Sequence, residues 1–146
     1  MEIRAATHED ILRYNLRAED ERNLNIAGYG GVDGLFKSKE MSDYCWVVED
    51  KGKLLSIAGV AKNEKGATIW IMFDANLESL PLSFFKESKK YVRFMLNEYG
   101  YIENFAEVNK TFVMKWAESM GFTIDKPIVT EYGTLCRVHI GGDIHV

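Results

Sequence analysis

The sequence predicts an α+β domain with a central mixed, mostly antiparallel sheet flanked by helices, and three observations predict it. The chain has 146 residues, 47% hydrophobic and 27% charged, the size and balance of a single globular domain that buries enough surface to fold without disulfides or metal. Between residues 44 and 73, three short runs rich in aromatic and β-branched residues are separated by turn signals, the pattern of a strand meander. From residue 81 to 99 the apolar residues recur at i, i+3 and i+4 instead, the period of an amphipathic helix.

Taken in order, Ile3 to Ala5 reads as the first strand. Thr7 with Asp10 three positions on is a weak capping box, Asp standing where Glu or Gln is usual, and it opens a helix through Ile11, Leu12 and Leu16. Glu19 to Ala27 reads as helix too, and four glycines then fall within Gly28 to Gly34. A phosphate-cradling loop follows a strand and opens a helix. This stretch follows a helix, so it is expected as a flexible connector, with Tyr29 and Val32 offered to a partner.

Tyr44 to Val48 and Leu54 to Ala61 read as antiparallel strands about a Lys51-Gly52 turn. Asn63 to Gly66 turns the chain into Thr68 to Phe73, with Ile69, Ile71 and Phe73 on one face and Trp70 and Met72 on the other. Pro81 suits the first turn of the next helix, whose Phe84, Phe85, Ser88, Tyr91, Val92, Met95, Leu96 and Tyr99 share a face until Gly100 stops it. Lys86, Lys89, Lys90 and Arg93 on its other face read as solvated cations. Tyr101 to Val108 is then a strand and Lys110 to Met120 a helix closed by Gly121. A last hairpin runs from Ile128 to Ile140 around Tyr132-Gly133. Phe85 and Trp116 are expected as core anchors.

Composition excludes several classes. Eighteen Lys and Arg against 22 Asp and Glu leave a net charge of −4, which argues against a nucleic-acid binder held by phosphate contacts. Cys45 and Cys136 sit far apart in apolar contexts and read as buried thiols of a reducing compartment. His8, His139 and His145 form neither a triad nor a metal-ligand pair, so no metal is expected. The opening Met1-Glu2-Ile3-Arg4 lacks the basic and then apolar run of a signal peptide, and no run has the roughly 18 apolar residues of a membrane span. A cytoplasmic protein is expected.

The stretch Asn109-Lys110-Thr111-Phe112-Val113-Met114-Lys115-Trp116-Ala117-Glu118-Ser119-Met120-Gly121-Phe122 resembles the last helix of the GNAT N-acetyltransferase superfamily, an Asn, a helix and a closing Leu-Gly-Phe. Ile3-Arg4, Thr7 and Asp10 resemble that superfamily's Ile-Arg-x-Ala-Thr-x-x-Asp start. With the element order, the resemblance covers nearly the whole chain. Within the superfamily, the stretch from Trp70 through Phe84, Met95, Tyr99, Asn104, Asn109 and Gly121 is similar to the small GNAT-like internal virion or head-morphogenesis proteins of podophages.

The resemblance implies a GNAT-type sheet and an acetyl-CoA site, and it implies where that site's parts should stand. The pantetheine arm would run along the fourth strand at Met72 and Phe73, with Asp74 and Asn109 also beside the cofactor. Base candidates are Glu103, Asn104 and Glu107 on the fifth strand, and Asp74; strand-edge solubility and turn chemistry are the other reading of each. The superfamily's pyrophosphate cradle is a glycine-rich loop after the fourth strand. This chain instead reads Asp74-Ala75-Asn76-Leu77-Glu78-Ser79-Leu80-Pro81-Leu82-Ser83, with no glycine, two carboxylates, and a proline that lacks an N–H. The superfamily's acidic Tyr falls at Ala117, and its helix-opening Asn at Lys110.

These departures lead to the expectation of a phage-type GNAT-like protein with a degenerate acyl-CoA site. It would bind a virion or host protein, in the host cytoplasm or packaged in a virion. The alternative is a working acetyl-CoA-dependent N-acetyltransferase with an atypical loop. A toxin-like or regulatory binding module on the same fold is a third class that the sequence does not separate.

Overall fold

The computed structural model describes residues 1–18, 20–22 and 31–142. By internal contacts the chain forms two units, residues 1–61 with 70–79, and residues 62–69 with 80–146. Strand β4 (Ala67–Phe73) contributes its first half to the second unit and its second half to the first.

The first unit contains β1 (Glu2–Ala5), α1 (His8–Arg13), α2 (Gly31–Met41), β2 (Tyr44–Asp50) and β3 (Lys53–Lys62) up to Ala61. β1 pairs antiparallel with β2 and β2 with β3, and β3 neighbours β4. The β2–β3 turn is the expected Lys51-Gly52, at φ of 51° and 79°, the two left-handed positions of a type I′ hairpin. The capping box closes in full: Thr7 Oγ1 accepts from Asp10 N at 3.2 Å, and Thr7 N donates to the Asp10 carboxylate at 2.8 Å.

Helix α1 nevertheless stops at Arg13, short of the expected Leu16. Tyr14 turns to extended backbone at ψ 135°, and the Asn15 carbonyl accepts from Ala75 N at 3.0 Å, so a tertiary bond overrides a local period. The expected glycine connector is also corrected in part. Residues 31–34 are the first turn of α2, Gly34 is buried, and Leu35 is 1% exposed in the core. Burying one helix face outweighs the modest helix penalty of glycine. Gly28, Tyr29 and Gly30 lie outside the described residues, as do Glu19 and residues 23–27 of the expected preceding helix. Ile11, Tyr14, Leu35, Val47, Leu54 and Ile57 form the core of this unit, with Trp70 and Met72 packed against it.

The second unit adds α3 (Leu82–Tyr99), β5 (Tyr101–Glu107), α4 (Thr111–Met120), β6 (Thr123–Ile124), β7 (Ile128–Thr130) and β8 (Gly133–Gly141). Its strand order is β4-β5-β8-β6, with β7 also on β8. β4 and β5 are parallel, registered at Ala67 with Ile102 and Thr68 with Glu103, whereas β5 and β8 pair antiparallel from Tyr101 with Gly141 to Glu107 with Leu135. Pro81 is the cap of α3 rather than part of its first turn. Both helix stops match expectation: Gly100 and Gly121 adopt φ of 77° and 89°, a conformation that favours glycine.

Phe84 is 1% exposed and fills the core. Phe85, expected as the anchor, is half-buried and meets Phe84 edge-on at 5.8 Å. Trp116 is buried as expected. The Cys136 thiol stands 3.7 Å from Met114 Sδ of α4. Strand alternation therefore puts Leu135, Arg137 and His139 on the opposite face of β8. Among the described residues, no helix is long and apolar enough to cross a membrane.

Candidate functional site

In the first unit, β4 delivers Met72, Phe73 and Asp74 in succession. Phe73 is 2% exposed, and the Met72 carbonyl accepts from Ser56 Oγ at 2.8 Å. Beyond the strand the backbone amides are taken up one after another. Asp74 N donates to Leu55 O at 2.9 Å, Ala75 N to Asn15 O at 3.0 Å, and Leu77 N to Asp74 O at 3.1 Å. Asn76 N donates to the Asp74 carboxylate at 3.0 Å, an Asx-type closure that lets the chain turn here without glycine. Arg17 Nη2 donates to Leu77 O at 2.6 Å. Four consecutive N–H groups thus have partners inside the chain.

In the second unit, Asn104 sits just past the last registered β4–β5 pair. Its Nδ2 donates to Ile69 O at 2.5 Å, and its Oδ1 accepts from Phe105 N at 2.7 Å. One side-chain amide so satisfies a β4 carbonyl and a β5 N–H where the ladder has ended. Glu103 Oε1 accepts from Tyr101 Oη at 3.0 Å and from Arg137 Nε at 3.1 Å. Arg137 also donates to Tyr101 Oη and, through Nη1, to Asp125 Oδ2 at 3.0 Å. His139 Nε2 lies 3.0 Å from Asp125 Oδ1. Register assembles this group, because Glu103 stands opposite His139 on β8 and Asp125 N bonds Arg137 O.

Burial pushes the Glu103 carboxyl up, but the hydrogen bonds from Arg137 and Tyr101 outweigh it and hold it below the usual carboxylate range. A carboxylate so held is a weak proton acceptor at neutral pH. His139 and then Arg137 hold Asp125 low as well. Glu107 is 7% exposed and lies against Gly133, where a Cβ would come 3.5 Å from Glu107 Oε2. It stands four positions along β5 from Glu103, roughly 13 Å at strand rise. Asn109 is exposed and precedes α4, and Thr111 N donates to its carbonyl at 3.0 Å. Ala117 is 1% exposed.

The named residues are therefore divided: Met72, Phe73 and Asp74 lie together in the first unit, and Glu103, Asn104, Glu107 and Asn109 are spread along the second. Sequence reasoning missed Tyr101, Asp125, Arg137 and His139 as companions of Glu103. The alternation of Arg137 and His139 on one strand face was the available signal, but strand register is what joins them to Glu103. Among the described residues, no group of three or more His, Cys, Asp or Glu could hold a metal ion.

No protein-family model and no curated protein matches the chain in sequence. Solved structures are similar in fold. Spermidine N-acetyltransferase from Vibrio cholerae, in complex with CoA and spermine, matches with a TM-score of 0.64 at 18% identity, over 96% of this chain and 94% of its own. Ribosomal-protein-alanine N-acetyltransferase from Brucella melitensis matches with a TM-score of 0.68 at 13% identity, over 97% and 99%. The class is thereby defined: this is an α+β chain with the fold of the GNAT N-acetyltransferases. At these identities the likeness fixes the fold, and function has to be argued from this chain's own residues.

Proposed function

We propose that this chain is a GNAT-fold protein of phage type that acts by binding a virion or host protein and does not transfer acetyl groups. The observation that carries the reading is the engagement of the amides after β4. A pyrophosphate in a cradle of this kind is held by backbone N–H groups that are open to it. Here the N–H groups of Asp74, Ala75, Asn76 and Leu77 are all donated within the chain. Freeing them would forfeit roughly 1 kcal/mol for each bond. Asp74 and Glu78 add two carboxylates to a place where a polyanion would lie.

These residues do not fit an acyl-CoA. The absence of a hydroxyl at Ala117 and the pairing of Glu103 with Arg137 support the same reading. The phage-type assignment rests on the resemblance of Trp70, Phe84, Met95, Tyr99, Asn104, Asn109 and Gly121 to the podophage GNAT-like pattern. Thermal unfolding with acetyl-CoA and with CoA tests the proposal. The melting temperature is expected to stay put at millimolar ligand. A ligand present at a hundredfold excess over its Kd would stabilise the fold by about 2.7 kcal/mol. A rise of several degrees at micromolar acetyl-CoA would replace this reading with that of an acetyltransferase using an atypical loop.

A further inference from the structure

Helix α3 turns Phe84, Ser88, Val92 and Met95 into the core, and Lys86, Lys89, Lys90 and Arg93 stand exposed on its other side. Spacing of i, i+3, i+4 and i+7 places these cations on one face, over about 10 Å of helix. Each of them meets two of the others at i±3 or i±4, and like charges at that spacing destabilise a helix. Lys90 is answered by Glu87 at 2.9 Å, but among the described residues Lys86, Lys89 and Arg93 make no ion pair. A face needed only for solubility does as well with acids interspersed. Here four of the chain's 18 cations gather in a protein of net charge −4, and a local cost that brings the fold no gain is found at functional sites.

The conflict selects its partner by charge. Carboxylates at the same helical spacing would bring one acid to each cation and relieve every like-charge pair on the strip. A lipid surface fits less well, since the apolar side of α3 is buried in the core and has nothing to insert. A nucleic acid fits less well too. Its phosphates continue past a strip this short and meet a protein of net negative charge.

We propose that the outer face of α3 is the docking surface for an acidic helical segment of a partner protein. The inference rests on the binding reading above for its protein partner, and its test contains no acetyl-CoA, so the two fail separately. NMR titration of the full chain at about 150 mM salt uses an alanine-based helical peptide with Glu at i, i+3, i+4 and i+7, its Gln counterpart, oligothymidylate and phosphatidylserine vesicles. The Glu peptide is expected to bind with a Kd below about 1 mM and to shift the amides from Lys86 to Arg93, which the Gln peptide leaves in place. Lys86→Glu with Arg93→Glu turns every like-charge pair on the strip into an opposite one and spares the Glu87–Lys90 bridge. It is expected to weaken binding at least about tenfold while raising the melting temperature by about 1–3 °C. Lys86→Gln with Arg93→Gln gives the same binding readout should the charge-reversed chain fail to fold. Lys115→Glu with Lys126→Glu, at exposed positions off the strip, makes the same change in net charge and is expected to keep the affinity. The proposal is overturned by no binding, by shifts mapping elsewhere, or by equal binding of the Gln peptide. Tighter binding of oligothymidylate or vesicles, affinity that survives the strip variants, an equal loss in the Lys115 and Lys126 variant, or a lower melting temperature on charge reversal would overturn it too.

Discussion

Trp116 is 5% exposed, its ring stands 5.5 Å from that of Phe122, and its indole N–H has no hydrogen-bond partner. Two substitutions separate packing from polarity. Trp116→Ala is expected to cost roughly 3–5 kcal/mol through the cavity it leaves. Trp116→Phe keeps a ring and removes the unanswered donor, so its cost is expected to stay within about 1.5 kcal/mol. Denaturant unfolding reads both, and an unchanged midpoint for the alanine variant would contradict the packing described. Asp10 is 2% exposed and takes Arg4 at 2.7 and 2.9 Å and Arg13 at 3.4 Å. The Arg4 hydrogen bonds outweigh burial and hold its carboxyl well below the usual range. A carboxyl depressed in the folded state stabilises above its unfolded value, about 3.9, and that stability is lost as pH falls through the acid range. Stability should therefore decline below about pH 4. Arg4 and Arg13 keep Glu49 when Asp10 is neutral, so Asp10→Asn should soften that decline and lower stability at neutral pH by about 1–3 kcal/mol, the range of hydrogen bonds to charged groups, as acid titration of unfolding would show. The Thr7–Asp10 cap was readable because it spans three residues. Glu49, which shares Arg4 and Arg13 with Asp10, was not, because only the β1–β2 register brings it there.

Among elements, the meander and α3 were legible because each repeats one period over many residues. The hairpin at Lys51-Gly52 and the stops at Gly100 and Gly121 were legible because the residue type itself answers a backbone requirement. Three features escaped local reading. The first turn of α2 hid behind its glycines, α1 ended where the Asn15 carbonyl met Ala75 N, and β6 is two residues long and exists through its pairing with β8. Asn104 belongs to this scale as well, since its amide stands at the end of a strand pair. Asn104→Ala is expected to cost about 1 kcal/mol and to speed amide exchange at Phe105. Unaltered exchange at that amide would show that the side chain does not take over from the ladder.

At the scale of the whole chain, the order of elements carried the fold, and fold neighbours that cover nearly all of this chain agree with it. The site was legible only as a set of departures: no glycine between Asp74 and Ser83, and alanine at 117. The sequence could not indicate where the first two amides of that segment would turn, because Leu55 and Asn15, the partners of Asp74 N and Ala75 N, lie about 20 and 60 residues earlier; Asn76 N and Leu77 N bond Asp74 itself. The proposed loss of an acyl-CoA cradle rests on these four engaged amides. Amide hydrogen exchange, resolved at Asp74, Ala75, Asn76 and Leu77, reads that engagement residue by residue. These four amides are expected to be protected in the free protein, with rates that millimolar acetyl-CoA leaves unchanged. Free exchange at these positions without ligand, together with protection appearing when acetyl-CoA is added, would contradict the account and mark the segment as an open cradle.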